Sequence, residues 1–202
     1  FIVCDHHVPD DELPPAVAIL NAKRFDSTYP FKHLSGCGVG FKLMQAYALD
    51  NGIPFSELLP SLDLVAVSTA SDIVPIMGEN RVLTHYGLEQ LNSNPCTGLK
   101  AIIQVCKLSD KNLTINDIVF KIGPRLNAAG RMSSGKKAVD LMVEKDFNRA
   151  LELAENIDKE NDDRKKDDKE MTEEANNIVT NLEDGENRHA IVLYNAEWKR
   201  GV

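Results

Sequence analysis

The chemistry this chain can offer rests on two imidazoles and two carboxylates. Asp5-His6-His7 follows directly on the apolar run Phe1-Ile2-Val3-Cys4. That run reads as a buried strand, and an α/β fold keeps its reactive groups at the carboxyl ends of such strands. Neighbouring side chains on a regular strand point to opposite sides, so one metal ion cannot take both histidines there, whereas a turn beyond the strand can aim them differently. One histidine as a ligand and the other against a substrate is the natural division of labour. A polar strand cap with no metal is the plainer reading, and the tripeptide alone leaves both open. Asp72, in Ala70-Ser71-Asp72-Ile73-Val74-Pro75, supplies another carboxylate in an apolar setting, where an unpaired charge is costly. It calls for a cation, or for hydrogen bonds from nearby backbone at a helix C-terminus. His33, His85 and His189 lack comparable partners and read as surface or core residues.

Two further segments carry phosphate chemistry in their residue types. Ser35-Gly36-Cys37-Gly38-Val39-Gly40 opens a helix-forming stretch, and backbone amides at such a start can receive an oxyanion. Glycines there also allow a helix to pack closely on a sheet. In Gly123-Pro124-Arg125-Leu126-Asn127-Ala128-Ala129-Gly130-Arg131, Arg125 and Arg131 can clamp phosphate oxygens and Asn127 can add a neutral donor. A solvated basic face is the alternative. The turn formers and small neighbours suit a segment that approaches something closely.

The elements that must position these groups follow from pattern. Residues 16–20 offer a second short strand. A helix is expected over 35–49, ending near Asn51-Gly52. Residues 58–71 are apolar and could be buried helix or strand, with Pro75 stopping either and leaving Asp72 at the C-terminal edge. Helices are expected over 81–91 and 99–107, and a short one from Thr114, with Asp117 at the reciprocal capping position. Residues 123–131 read as a turn-rich segment. From Asp146 to about Leu182 no Pro or Gly interrupts a long helix, apolar at both ends and polar all round over 158–170, as a bridge between domains would be. Residues 189–194 read as the first strand of a second domain. There is no internal repeat.

With 202 residues the chain can hold one ordinary domain and part of another. It has 43% hydrophobic and 27% charged residues and no apolar run long enough for a bilayer, which reads as a soluble, non-membrane protein. Cys4, Cys37, Cys96 and Cys106 form no CxxC pair, as expected of reduced thiols in the cytoplasm. The net charge of −8 is unevenly spread. Lys121, Arg125, Arg131, Lys136 and Lys137 occur with no acid among them over 121–137, whereas 144–186 is mainly acidic, so the total does not exclude a polyanionic partner. The absence of an initiator Met before the first strand reads as a piece of a longer protein.

Taken in order, Val3-Cys4-Asp5-His6-His7, Ser35 to Gly40, Ala70 to Pro75 and Gly123 to Arg131 resemble the DHH phosphoesterase superfamily. Within it they look most like the RecJ-type exonucleases specific for single-stranded DNA. The resemblance spans nearly the whole chain, to Trp198-Lys199-Arg200-Gly201-Val202. It implies an α/β fold: residues 1–145 as the C-terminal part of a DHH-type domain with a parallel sheet and many helices, 146–184 as a long connecting helix, and 185–202 as the start of a DHHA1-like second domain. It implies His6 and Asp72 as ligands of Mn²⁺ or Mg²⁺, Asp5 as the acceptor behind the histidines, and His7 facing the scissile phosphate. Gly36, Gly38, Gly40, Arg125, Asn127 and Arg131 would hold nucleic-acid phosphates. The implied activity is two-metal hydrolysis of single-stranded DNA from the 5′ end to 5′-mononucleotides in repair and recombination, in the cytoplasm, beside a single-strand-binding protein or helicase. Family members carry further metal-binding aspartates upstream of the DHH strand, which this sequence does not include, so the isolated piece is expected to be inactive. Where the family often has Trp-His, this chain has Trp198-Lys199. The alternatives are a DHH phosphoesterase acting on oligonucleotides, cyclic dinucleotides or pyrophosphate, and a non-catalytic nucleic-acid-binding scaffold, although a scaffold has no need of Asp5, His6, His7 and Asp72 together.

Overall fold

A computed structural model describes residues 1–132, 134–181 and 190–199, without the side chains of Arg131 and Met132. It is an α/β arrangement dominated by helices, with one small parallel sheet. Strand β1 (Ile2–Cys4) pairs with β2 (Ala18–Leu20) in the register Ile2 to Ala18 and Cys4 to Leu20. The expectation of a buried first strand does not hold among the described residues. Phe1 is fully exposed and Ile2 is 59% exposed, because β2 and the edge of one helix are the main neighbours of β1.

Helix α1 (Gly36–Asp50) starts where Ser35 Oγ accepts the Gly38 amide at 3.2 Å as an N-cap. Residues 58–71 resolve into one short 3₁₀ turn (Leu59–Ser61) and helix α2 (Leu62–Ser71), with Val65, Ala66, Val67 and Ala70 all buried. Neighbours on several sides, chiefly α1, residues 78–93 and residues 118–132, account for the apolar character all round α2. Helices α3 (Gly78–Ser93) and α4 (Thr97–Val105) follow. The short α5 (Ile115–Asp117) opens with the expected capping box, since Thr114 Oγ1 and the Asp117 carboxylate satisfy each other's backbone amides.

A π turn over Ile118–Ile122 then leads without a break into α6 (Gly123–Met132). Residues 123–131 are therefore helix and not the expected turn. Gly123-Pro124 stands at the junction of the π turn and α6, and Leu126, Ala128 and Ala129 suit a helix.

Helix α7 (Lys136–Val143) precedes α8 (Phe147–Thr180), which Asp146 caps by accepting the Arg149 amide at 2.9 Å. The middle of α8 is less bare than its composition suggests. Asn161 is buried, Asp158 holds Arg125 and Glu160 pairs with Lys137, so the helix packs on α4, α6 and α7 well past Ile157. Leu99, Ile102, Ile118, Ile122, Leu141 and Ile157, all but completely buried, form the main core.

The expected strand over 189–194 is not seen among its described residues, 190–194. Ala190 to Tyr194 form no ladder, while His189, Asp184 and Gly185 lie outside the described residues. The residues that follow are held to α8, where Trp198 Nε1 and Asn195 Nδ2 donate to the Glu174 carboxylate at 2.8 and 2.7 Å. No helix among the described residues is long and apolar enough to cross a membrane.

Candidate metal centre

Beyond β1 the chain leaves the ladder after the Asp5 amide donates to Leu20 O at 3.0 Å. Asp5 then organises the next two residues around one oxygen. Its Oδ1 accepts the His6 amide at 2.7 Å and the His7 amide at 3.4 Å, and takes the ring Nδ1–H of His7 at 2.8 Å. The His7 ring, followed by these amides, holds the Asp5 carboxyl below its ordinary range, against the opposing effect of partial burial. Asn21 Nδ2 pins the turn by donating to His7 O at 2.8 Å. In this turn the two imidazoles are held close together although one is covered and the other exposed. Their ring centres lie 4.3 Å from each other, and ligand atoms of Asp5, His6 and His7 fall within 4.8 Å of one another.

His6 points inward, with its side chain 15% exposed, and His7 outward at 76%. His6 Nε2 lies 3.6 Å from Asp72 Oδ2. That is too far for a hydrogen bond, yet near the spacing of about 3 Å between adjacent ligands of one ion with bonds of about 2.1 Å. The donor set of one imidazole and one carboxylate fits Mn²⁺. Buried His6 Nδ1 has no partner among the described groups. Asp72 is not in the buried apolar setting its flanking residues suggest. It is the C-cap of α2 with its side chain 37% exposed, because the helix ends there and the following chain turns away. Ser68 Oγ, one turn earlier, donates to its Oδ2 at 3.4 Å.

The glycine turn is part of the same place. A Cβ on Gly36 would stand 3.6 Å from His6 Cδ2, so this backbone lies against the imidazole. The Gly38 amide is taken by Ser35 Oγ and the Cys37 amide by Ser68 Oγ. Gly40 faces open space. Helix α6 approaches from the other side. A Cβ on Gly123 would stand 2.8 Å from Ser71 Oγ, which puts the start of α6 against the residue before Asp72. Arg125 is engaged within the protein, Nε donating to Asp158 Oδ1 at 2.6 Å and Nη1 to Lys121 O at 2.7 Å. Asn127 is exposed, and the Arg131 side chain lies outside the described residues. The basic segment is largely neutralised: Lys121 pairs with Asp117 and Lys137 with Glu160.

Sequence reasoning missed Asn80. It is completely buried on α3, and its Nδ2 donates to His33 O at 2.6 Å and Pro75 O at 3.0 Å. An asparagine inside a polar stretch carries no local signal of such a role. Asp63 was also missed. It is completely buried, accepts the Cys96 amide at 2.7 Å, and is pushed to a raised pKa by burial. A separate cleft of about 810 Å³ lies between the end of β2, residues 24–30 and α1, and takes in neither the histidines nor Asp72.

No protein-family model matches the chain. It is 37% identical over 213 residues to the single-stranded-DNA-specific exonuclease RecJ of Escherichia coli (strain K12), covering 100% of this chain and 37% of that protein. With the RecJ of Bacillus subtilis (strain 168) it shares 41% identity over 201 residues, covering 100% and 25%. The crystal structure of exonuclease RecJ bound to manganese matches with a TM-score of 0.80 at 29% identity, over 99% of this chain and 49% of that one. RecJ from Thermus thermophilus in complex with Mn²⁺ matches with a TM-score of 0.74 at 28% identity, over 90% and 26%. The chain thus spans only 37% and 25% of the length of the two curated relatives.

Proposed function

Because the chain fits a RecJ-type DHH segment along its whole length, we propose that the protein carrying it is a divalent-metal nuclease that removes 5′-mononucleotides from single-stranded DNA in the cytoplasm. The observation that carries this reading is the 3.6 Å approach of His6 Nε2 to Asp72 Oδ2, groups brought together from a strand end and a helix end. In this proposal the two side chains hold one Mn²⁺ or Mg²⁺. Such an ion, when bound, supplies charge neutralisation for the phosphodiester and acidifies a water. Asp5 keeps the Nδ1–H tautomer of His7, which leaves Nε2 to face the phosphate and the departing 3′ oxygen. Water oxygen joins phosphorus, the P–O3′ bond breaks, and the terminal nucleotide leaves with its own 5′-phosphate. Gly36 and Gly40, Asn127 and Arg131 border the strand, while Arg125 braces α6 on α8.

The test uses the full-length natural protein with 5′-phosphorylated single-stranded DNA and Mn²⁺. His6→Ala and Asp72→Asn should each lower mononucleotide release by more than the roughly 10–100-fold that losing an outer-shell partner of a metal ligand costs, with DNA binding retained. An unchanged rate in Asp72→Asn removes Asp72 from the site. The 202 residues alone should release little or nothing. A phosphoesterase for short oligonucleotides is the second reading, favoured by the internal pairing of Lys121, Arg125 and Lys137. A higher kcat/KM on a dinucleotide than on a long strand would select it.

A further inference from the structure

Asp72 opens a turn whose backbone is in an uncommon conformation. Ile73 has φ +53, a left-handed geometry in which a β-branched side chain crowds its own carbonyl. Its side chain is 79% exposed, so packing does not hold it there. What holds the turn lies on α3. Asn80 Nδ2 donates at 3.0 Å to Pro75 O, three residues after Asp72, and at 2.6 Å to His33 O, two residues before the Ser35 cap. One buried amide therefore ties the chain leaving Asp72 to the chain entering the Gly36 turn that lies against His6. The same joint is tightened at Gly78, where φ is +52 and a Cβ would stand 2.8 Å from the Phe31 ring.

We propose that Asn80 is a positioning residue for the metal site, setting the distance between Asp72 and His6 by clamping residues 33–36 to the strained turn at 73–75. The inference rests on the reading of His6 and Asp72 as metal ligands. Asn80 touches neither the ion nor the substrate. Its effect passes through the backbone, so it should show in metal affinity and not only in stability.

The experiment measures Mn²⁺ affinity by electron paramagnetic resonance on the full-length natural protein, with the unfolding midpoint recorded beside it. Asn80→Ala, or Asn80→Ser where the alanine variant does not fold, should weaken Mn²⁺ binding about tenfold, as loss of an outer-shell support does. Ile73→Asn suits the left-handed region, and added to either variant it should recover binding to within about threefold of wild type, since the turn then holds itself. Unchanged Mn²⁺ affinity in a folded Asn80 variant, or no recovery once Ile73→Asn is added, overturns the proposal. Asp72→Asn separates the two readings. If it leaves Mn²⁺ binding intact, the metal-site assignment fails. If it abolishes binding while the Asn80 variant binds normally, only the positioning role fails.

Discussion

Gly123→Ala places a methyl group where the structure leaves no room. The new Cβ would stand 2.8 Å from Ser71 Oγ, 3.1 Å from Ile118 O and 3.3 Å from Ser71 Cβ. Overpacking of this kind costs about 1–3 kcal/mol, and the better helix propensity of alanine returns about 1 kcal/mol. The net expectation is a loss of about 1 kcal/mol from these two opposing contributions. Ser71→Ala behaves in the opposite way. Ser71 Oγ is buried without a partner, and deleting such a group recovers part of a penalty of about 1–3 kcal/mol. In a Ser71→Ala background the 2.8 Å contact is gone while those to Ile118 O and the residue-71 Cβ remain, so Gly123→Ala recovers part of its helical advantage. A double-mutant cycle should therefore show a favourable coupling of about 1–2 kcal/mol, within the range for touching residues. Urea unfolding reads it as shifts in midpoint at constant slope. Additive effects, within about 0.5 kcal/mol, would refute the contact. Because Ser71 precedes Asp72, Gly123→Ala should also weaken Mn²⁺ binding, and Ser71→Ala should restore it.

Two other outcomes are expected. The Asp117 carboxyl is held far below its usual range, first by Lys111 and then by Thr114 and Lys121, so its stabilisation is complete above the unfolded value near pH 4 and lost as pH falls below it. Asp117→Asn removes the charge that Lys111 and Lys121 meet, should cost about 1–2 kcal/mol at pH 7 as weakened charge-assisted hydrogen bonds do, and should flatten the acid limb of a stability–pH profile. An unchanged acid limb would assign that loss to other carboxylates. Arg125→Ala leaves Asp158 half-covered without its 2.6 Å partner, and should destabilise the α6–α8 contact by about 1–3 kcal/mol. The salt dependence of single-stranded DNA binding should stay as it is. A slope smaller by about 0.7 would show that Arg125 meets a phosphate.

What could be read from the chain was chemistry completed within one helical turn. The Thr114–Asp117 box and the end of α2 at Asp72 each put donor and acceptor within four residues of each other. Residues 58–71 could not be decided from periodicity, because an apolar surface on every side says that a segment is buried but not how its backbone is paired. The turn formers of 123–131 misled for a related reason. Gly123 is small because Ser71 stands opposite it, not because the chain must turn, and a one-residue π offset has no composition of its own.

The candidate site divides along the same line. The Asp5-His6-His7 turn is built from its own backbone amides and was visible as a unit. The approach of His6 to Asp72 depends on how a strand end and a helix end are held relative to each other. Such a distance leaves its trace only in the residues that hold it: a missing side chain at Gly123, a strained φ at Ile73, and one amide at Asn80 reaching two carbonyls. None of these residues carries a charge or a nucleophile. A search of the sequence for reactive groups passes over them, although the spacing of the reactive groups depends on them.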